Sequence, residues 1–237
     1  MDDYTAQAKI YWWVTAVLGL LVLGVCLVGV SRVDSGKIVL IATGSLMAAI
    51  AGLFPVSIPG AKVSVSAAEI FVFLLLLSFG TEAAVIAAAI EAACISWRTS
   101  TRWTSRIGSP AMAALAMYVS GNLFTWASTQ LSIVGKGGMI ATVPLLVAAV
   151  AVVYFAIGTL LIASLIKLKR NEPIKPLDIL RDHAWLGLAY ACSGAIAGLL
   201  QSSFGQFEFA IVLAAAPITA ALIALLHVYY RHAPRQA

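Results

Sequence analysis

Residues 54–106 read FPVSIPGAKVSVSAAEIFVFLLLLSFGTEAAVIAAAIEAACISWRTSTRWTSR and hold two apolar runs joined by Gly80-Thr81. A loop rich in Pro and Gly precedes these runs, and a loop with several arginines follows them. Three of the chain's ten acidic residues lie within or beside the two runs, namely Glu69, Glu82 and Glu91. The rest of the sequence consists largely of further apolar runs, which predict helices packed around this pair.

The composition indicates a membrane protein. Hydrophobic residues make up 62% of the 237-residue chain and charged residues only 11%, with a mean hydropathy of +0.98. Soluble domains carry about 25% charged residues. We therefore predict a single transmembrane domain, residues 1–237, with the lipid bilayer as its surroundings. The net charge of +5 does not indicate nucleic-acid binding, because the basic residues lie in short segments between apolar runs.

The lengths of the apolar runs predict an all-α integral membrane protein with a bundle of about eight transmembrane helices. A spanning helix needs about 20 apolar residues. The predicted spans are residues 11–30, 38–54, 66–79, 82–97, 110–128, 140–166, 183–200 and 209–230. The third is short and could form a hairpin with the fourth. Pro110 is expected at the first position of the fifth helix, and Pro217 is expected to kink the eighth. We expect the first span to be a retained helix rather than a signal peptide.

The basic residues predict the orientation. Twelve of the fifteen Lys and Arg residues fall on the side of the N-terminus, and only Arg32, Lys37 and Lys136 fall on the other side. Because loops rich in Lys and Arg stay in the cytoplasm, both termini are predicted to be cytoplasmic. A hairpin in place of the third and fourth spans leaves every other loop on the same side.

Glu91 is the first candidate for a functional residue. It follows Glu82 by nine residues, which is about 13 Å along a helix and therefore near the middle of the membrane. An ionisable group at that depth is a functional hypothesis by default. The alternative is a structural glutamate that forms a hydrogen bond inside the bundle, with Asn122 as its expected partner.

Glu69 is the second candidate, and two interpretations stay open. Ser66-Ala67-Ala68-Glu69 matches a capping box, in which Ser66 and Glu69 satisfy free backbone N–H groups at the start of a helix. Alternatively, Glu69 contributes with Glu91 and Asn122 to a ligand-binding site. The sequence shows no spacing typical of a metal site, no cofactor fingerprint and no catalytic set, so we predict a protein that is not an enzyme.

The stretch from Phe54 to Trp97, followed by Arg102-Trp103 and the helix with Asn122, resembles a multi-pass membrane region found in bacteria ahead of HD-GYP phosphodiesterase or GGDEF cyclase domains. Its features are a Pro-Val-x-x-Pro-Gly loop, a Phe-Gly-x-Glu-Ala-Ala turn, an alanine-rich helix and a basic loop. This resemblance implies a sensory or partner-coupling membrane module. The short helix, Gly turn and alanine-rich helix are also similar to the substrate-binding S components of ECF-type transporters.

Together, the sequence pattern and what the resemblance implies predict a non-enzymatic module of the bacterial inner membrane. It would sense or bind a small or lipidic ligand, or couple to a membrane or cytoplasmic protein partner, as a homo-oligomer or with another chain. The alternative is the substrate-binding subunit of a small-molecule, ECF-like transporter. Six basic residues are predicted to dock anionic lipid headgroups or an acidic partner on the cytoplasmic side: Arg98, Arg102, Arg106, Lys167, Lys169 and Arg170.

The predicted orientation can be tested with single cysteines in intact cells. A cysteine at Lys169 should be protected from a membrane-impermeant thiol reagent, because that residue is predicted to be cytoplasmic. A cysteine at Lys136 should be labelled. Labelling of the Lys169 position from outside would reverse the orientation and favour the transporter alternative.

Overall fold

A computed structural model describes residues 4–53, 56–57, 64–65, 68–130 and 142–204, with the single residues 217, 220 and 221. Within these ranges the chain is helical apart from one pair of two-residue strands. The elements are α1 (Ala6–Val30), α2 (Ser35–Gly52), β1 (Val56–Ser57), β2 (Ser64–Val65), α3 (Glu69–Phe79), α4 (Thr81–Thr99), α5 (Trp103–Gln130), α6 (Thr142–Arg170), α7 (Pro176–Asp182) and α8 (Ala184–Phe204). The strands are antiparallel, with Val56 opposite Val65.

The first seven predicted spans each correspond to a helix, but several boundaries differ. The fifth helix begins at Trp103, so Pro110 lies inside α5 and the prediction of Pro110 at its first position was wrong. The polar segment 171–182 contains the short helix α7, which the apolar pattern did not predict. The predicted eighth span, 209–230, and the expected kink at Pro217 lie almost entirely outside the described residues.

Four of the described helices are long and apolar enough to cross a membrane: α1, α2, α6 and residues Ala184–Ser203 of α8. Their outer surfaces are apolar as well, since Leu21 and Val25 of α1 are 60% and 64% exposed. Large exposed apolar surfaces of this kind require a lipid or protein environment. Helices α4 and α5 are also long but contain more polar residues, and α3 has only 11 residues.

The hairpin of α3 and α4 forms the centre of the bundle. Every residue of α3 from Glu69 to Leu76 is buried, as is every residue of α4 from Ala83 to Ala89. Helix α3 packs against α2, α4 and α8, while α4 packs against α1, α2, α3 and α5. The alanines of α4 allow its neighbours to approach closely, because small side chains keep helix axes near each other.

The two ends of the bundle differ in charge. At one end the N-terminus meets the α4–α5 loop and the end of α6: the Tyr4 hydroxyl donates to Thr104 Oγ1 at 3.3 Å, and Thr5 Oγ1 donates to the Leu168 carbonyl at 2.8 Å. This end, called here the basic end, carries Lys9, Arg98, Arg102, Arg106, Lys167, Lys169 and Arg170. At the opposite, hairpin end, Gly29 packs against Glu82, and Gly121 packs against Thr81.

The sequence Gly194-Ala-Ile-Ala-Gly198 of α8 packs within the chain, against α6. A Cβ atom at Gly194 would lie 2.8 Å from the Val147 carbonyl oxygen, and one at Gly198 would lie 2.5 Å from the Pro144 Cα. The two backbones are therefore in direct contact, as small residues four apart allow in apolar helices. The GxxxG motif thus serves contact between α6 and α8.

Replacement of Gly194 by alanine should destabilise the protein by about 1–3 kcal/mol, because the added methyl group overlaps the α6 backbone. Gly158→Ala is the matched control: no atom lies within 4 Å of a Cβ at that position, so the change should be neutral or stabilising. Thermal unfolding in detergent measures both. Equal stability of the two variants would contradict the close α6–α8 contact.

Candidate ligand-binding site

The hairpin places two carboxyl groups at one level in the bundle. Glu69 precedes Gly80 by eleven residues, and Glu91 follows it by eleven. Because α3 and α4 run antiparallel from Gly80 and each rises about 1.5 Å per residue, both glutamates lie about 16 Å from the turn. Both are buried, with 6% of Glu69 and 2% of Glu91 exposed.

Glu69 faces α8. Its carboxyl group lies close to the Tyr190 hydroxyl, which can donate to it. Its second carboxyl oxygen, Oε2, is buried and has no hydrogen-bond partner among the described residues. A buried acceptor without a donor costs about 1–3 kcal/mol, and more if it is charged. The group is therefore suited to receive a donor that the described chain does not supply.

A connected set of aromatic rings from α3, α6 and α8 begins next to this carboxyl group, at Tyr190. The ring of Phe73, one turn after Glu69, meets the ring of Tyr154 edge-on at 6.0 Å between centroids. Tyr154 in turn lies 5.9 Å from Tyr190, and Tyr190 lies 5.3 Å from Phe155. These rings are held by the α6–α8 contact, since Gly187 packs on Phe155.

Glu91 approaches the same group of side chains from α4. Both glutamates lie within electrostatic range of the Tyr154 and Tyr190 hydroxyls. On its other side Glu91 packs against the last residue of α2, because a Cβ atom at Gly52 would lie 3.2 Å from its Cγ. We call Glu69, Glu91, Phe73, Tyr154 and Tyr190 the acidic–aromatic cluster. Only Tyr190 in this cluster is more than marginally exposed.

Helix α1 shows how deep the cluster lies. Gly29 of α1 meets Glu82, and Trp12 of α1 donates through Nε1 to the Thr104 carbonyl at 3.0 Å. These two contacts are seventeen residues apart on α1, or about 25 Å. Glu91, nine residues after Glu82, therefore lies about half way between the two ends. The position predicted for Glu91 from its sequence spacing agrees with this geometry.

The predicted pairing of Glu91 with Asn122 was wrong. Gly121 packs on Thr81, at the hairpin end of α4, whereas Glu91 lies ten residues further along that helix. This separation is about 15 Å. Asn122 is exposed, and its Nδ2 donates to the Tyr118 carbonyl of its own helix at 2.7 Å. Asn122 is thus not part of the cluster.

The predicted capping role of Glu69 was also wrong. A capping box requires the glutamate at the third helical position, but α3 begins at Glu69 itself, after Ala68. Among the described residues, no side chain caps this helix start, and Ser66 lies outside them. Glu69 still lies in the first turn, where a negative charge interacts favourably with the helix dipole. Its side chain is directed to Tyr190 rather than back to the backbone.

The six basic residues predicted to dock a partner all lie at the basic end, and several are held by local contacts. Arg98 donates to the Leu53 carbonyl at 2.6 Å, and Arg106 stacks on Trp97 at 4.6 Å. Lys169 lies over the ring of Tyr4 at 4.9 Å. Lys167 and Arg170 lie 3.9 and 4.0 Å from Glu172. Arg102 is exposed. These residues are separate from the acidic–aromatic cluster.

In the ranges that the structure describes, no group of three or more His, Cys, Asp or Glu side chains could hold a metal ion. The cluster brings together two carboxyl groups, two phenol hydroxyls and aromatic faces. Chemically, this set can accept hydrogen bonds from a ligand, attract a positive charge and contact an apolar group.

The sequence did not single out Tyr154 and Tyr190 as site residues. Each lies in an apolar span, where an aromatic residue is expected to serve packing. The available signal is the phenol hydroxyl, because a buried Tyr usually needs a hydrogen-bond partner.

The chain matches no protein-family model, no curated protein and no solved structure. The two family resemblances therefore stay predictions.

The contact between Glu69 and Tyr190 can be measured by a double-mutant cycle. Tyr190→Phe should cost about 1 kcal/mol of stability, because it removes one donor from a buried carboxyl group. In the Glu69→Leu background the same change should cost much less. Glu82→Leu, at the hairpin end, is the control background, in which the cost of Tyr190→Phe should be unchanged. Additive effects of Glu69→Leu and Tyr190→Phe would argue against the contact.

Proposed function

We propose that the chain is a non-enzymatic, multi-pass protein of the bacterial inner membrane that binds a small solute inside its helical bundle and acts as a sensory module. The observation that carries this proposal is the acidic–aromatic cluster. Two buried glutamates from α3 and α4 lie within electrostatic range of two tyrosines from α6 and α8, about half way along the bundle. Ionisable residues at such depth are costly and mark ligand or ion pathways.

The start of α3 supports a binding role. Helix α3 begins at the level of the cluster, and the described residues before it form short strands rather than helix. Non-helical backbone at membrane depth is tolerated only where it is buried in protein or lines a water-filled cavity. This feature is typical of a solute site in the interior of a membrane protein.

The same helix start favours a second candidate function, the substrate-binding subunit of a transporter. Transporters commonly bind their substrates near the middle of the membrane, at helices that begin or end there. Under this alternative the solute passes the cluster, whereas in a sensory module it stays bound and alters a partner. The ligand site is the same in both cases.

The basic end supports the proposed orientation and a docking role. Its Lys and Arg residues come from the N-terminus, the α4–α5 loop and the end of α6, which meet through Tyr4 and Thr5. Positive charge collected on one side of a membrane domain favours the cytoplasmic side. There it would attract anionic lipid headgroups or an acidic protein partner. A sensory module would pass its bound state to that partner through this end.

A solute site must be reachable from water, and cysteine accessibility tests this. The three native cysteines, Cys26, Cys94 and Cys192, are first replaced by alanine. Ala68, adjacent to Glu69 and fully buried, is then changed to cysteine. We expect charged methanethiosulfonate reagents of either sign to label it, because only a hydrated thiolate reacts readily.

Ala197→Cys is the matched control, since Ala197 is equally buried but lies between Gly194 and Gly198, at the close contact of α8 with α6. It should stay unlabelled under the same conditions. Equal, negligible labelling at both positions in folded protein would show that the cluster is a dry structural contact and would refute the proposal. Equal labelling at both would show general opening of the bundle and would also remove its support.

A further inference from the structure

We propose that the acidic–aromatic cluster binds a small organic cation, with a protonated amine between the Glu69 carboxyl group and the rings of Phe73, Tyr154 and Tyr190. This inference rests on the proposed solute-binding function and specifies the chemical class of the solute. It starts from Glu69, which is buried, with 6% of its surface exposed. It does not depend on the partners of Glu91.

The first argument is hydrogen bonding. The Tyr190 hydroxyl can donate to the Glu69 carboxyl group, but the second carboxyl oxygen of Glu69, Oε2, has no hydrogen-bond donor among the described residues. A carboxylate accepts up to about four hydrogen bonds, and buried acceptors are nearly always satisfied. A protonated amine supplies N–H donors and a positive charge in one group, which is the combination a buried carboxylate lacks in apolar surroundings.

The second argument is the aromatic wall. The rings of Phe73 and Tyr190 both lie about 6 Å from the ring of Tyr154, so the three rings form one continuous set. Tyr190, at one end of this set, lies next to the Glu69 carboxyl group. Aromatic faces attract ammonium groups, and rings combined with an anionic group recognise organic cations in preference to neutral molecules. A hydrated inorganic ion gains less here, because Na⁺ and Ca²⁺ prefer a shell of several oxygen ligands.

The third argument is charge at the level of the cluster. No Lys or Arg side chain in the described ranges is buried, and those that are described lie at helix ends. None of these residues neutralises Glu69 in the interior. Lys62 lies outside the described residues, so the variant Lys62→Gln is included in the test below.

The test uses the purified full-length protein in detergent and two molecules of similar shape, isopropylammonium and isopropanol. Isopropylammonium should raise the melting temperature saturably, on the order of 5 °C at one hundred times its Kd. Isopropanol should not raise the melting temperature, and neither should Na⁺ at matched ionic strength. Glu69→Gln should abolish the rise, while Glu82→Gln, at the hairpin end, should keep it.

A second pair of variants keeps the test decisive if Glu69→Gln does not fold. Phe73→Leu removes one ring of the wall and should weaken isopropylammonium binding about 2- to 30-fold, the range of a cation–π contact. Phe71→Leu changes an equally buried ring of the same helix and should leave the affinity unchanged, because Phe71 makes no ring contact with Tyr154 or Tyr190 among the described residues. Equal weakening by both would overturn the assignment of the wall.

Three further outcomes would overturn the proposal. A rise with isopropanol as large as with isopropylammonium would indicate an apolar site, and an equal rise with Na⁺ would indicate an ion site. No rise in the wild type, with a rise only in Lys62→Gln, would show that the chain's own lysine occupies the position of the amine. If Ala68→Cys is nevertheless labelled, the solute site remains and only its cation preference is wrong.

Discussion

The turn at Gly80 determines where both buried carboxyl groups lie. Its φ of 86° is in the region that favours glycine, and it lets α4 begin directly after α3 ends. With no loop between the two helices, each residue of α3 has a fixed counterpart in α4 at the same height. Glu69 and Glu91 are such counterparts. The other helices complete the site by packing on this hairpin, and α6 and α8 supply the tyrosines.

Close backbone contact fixes those tyrosines in turn. Gly194 and Gly198 bring α8 directly onto α6, so the two helices present Tyr154 and Tyr190 as a unit. In apolar surroundings, burial from water contributes little to helix association, and packing of small residues takes its place. The glycines of α8 are therefore part of the architecture of the site although they touch none of its polar groups.

The sequence predicted the helices well because apolar length is a local property. It also placed Glu91 at mid-depth, since position within a helix follows from counting residues. It could not predict which helices are neighbours, and for this reason Asn122 was paired with Glu91 and Tyr190 was missed. Pro110 was assigned to a helix start because the polar residues before it resemble a cap, but packing of Trp103 and Thr104 on α1 extends α5 beyond it. Long-range packing decided each of these cases.

The shortness of α3 has a consequence for biosynthesis. With 11 residues, α3 is too short to span a bilayer by itself, so in a membrane it would have to insert together with α4. Helix α8, which carries Tyr190, is synthesised more than one hundred residues later. In a nascent chain inserted in a membrane, the Glu69 carboxyl group would therefore lack its tyrosine neighbour until α8 is complete. Water or lipid headgroups would have to form its hydrogen bonds in the meantime.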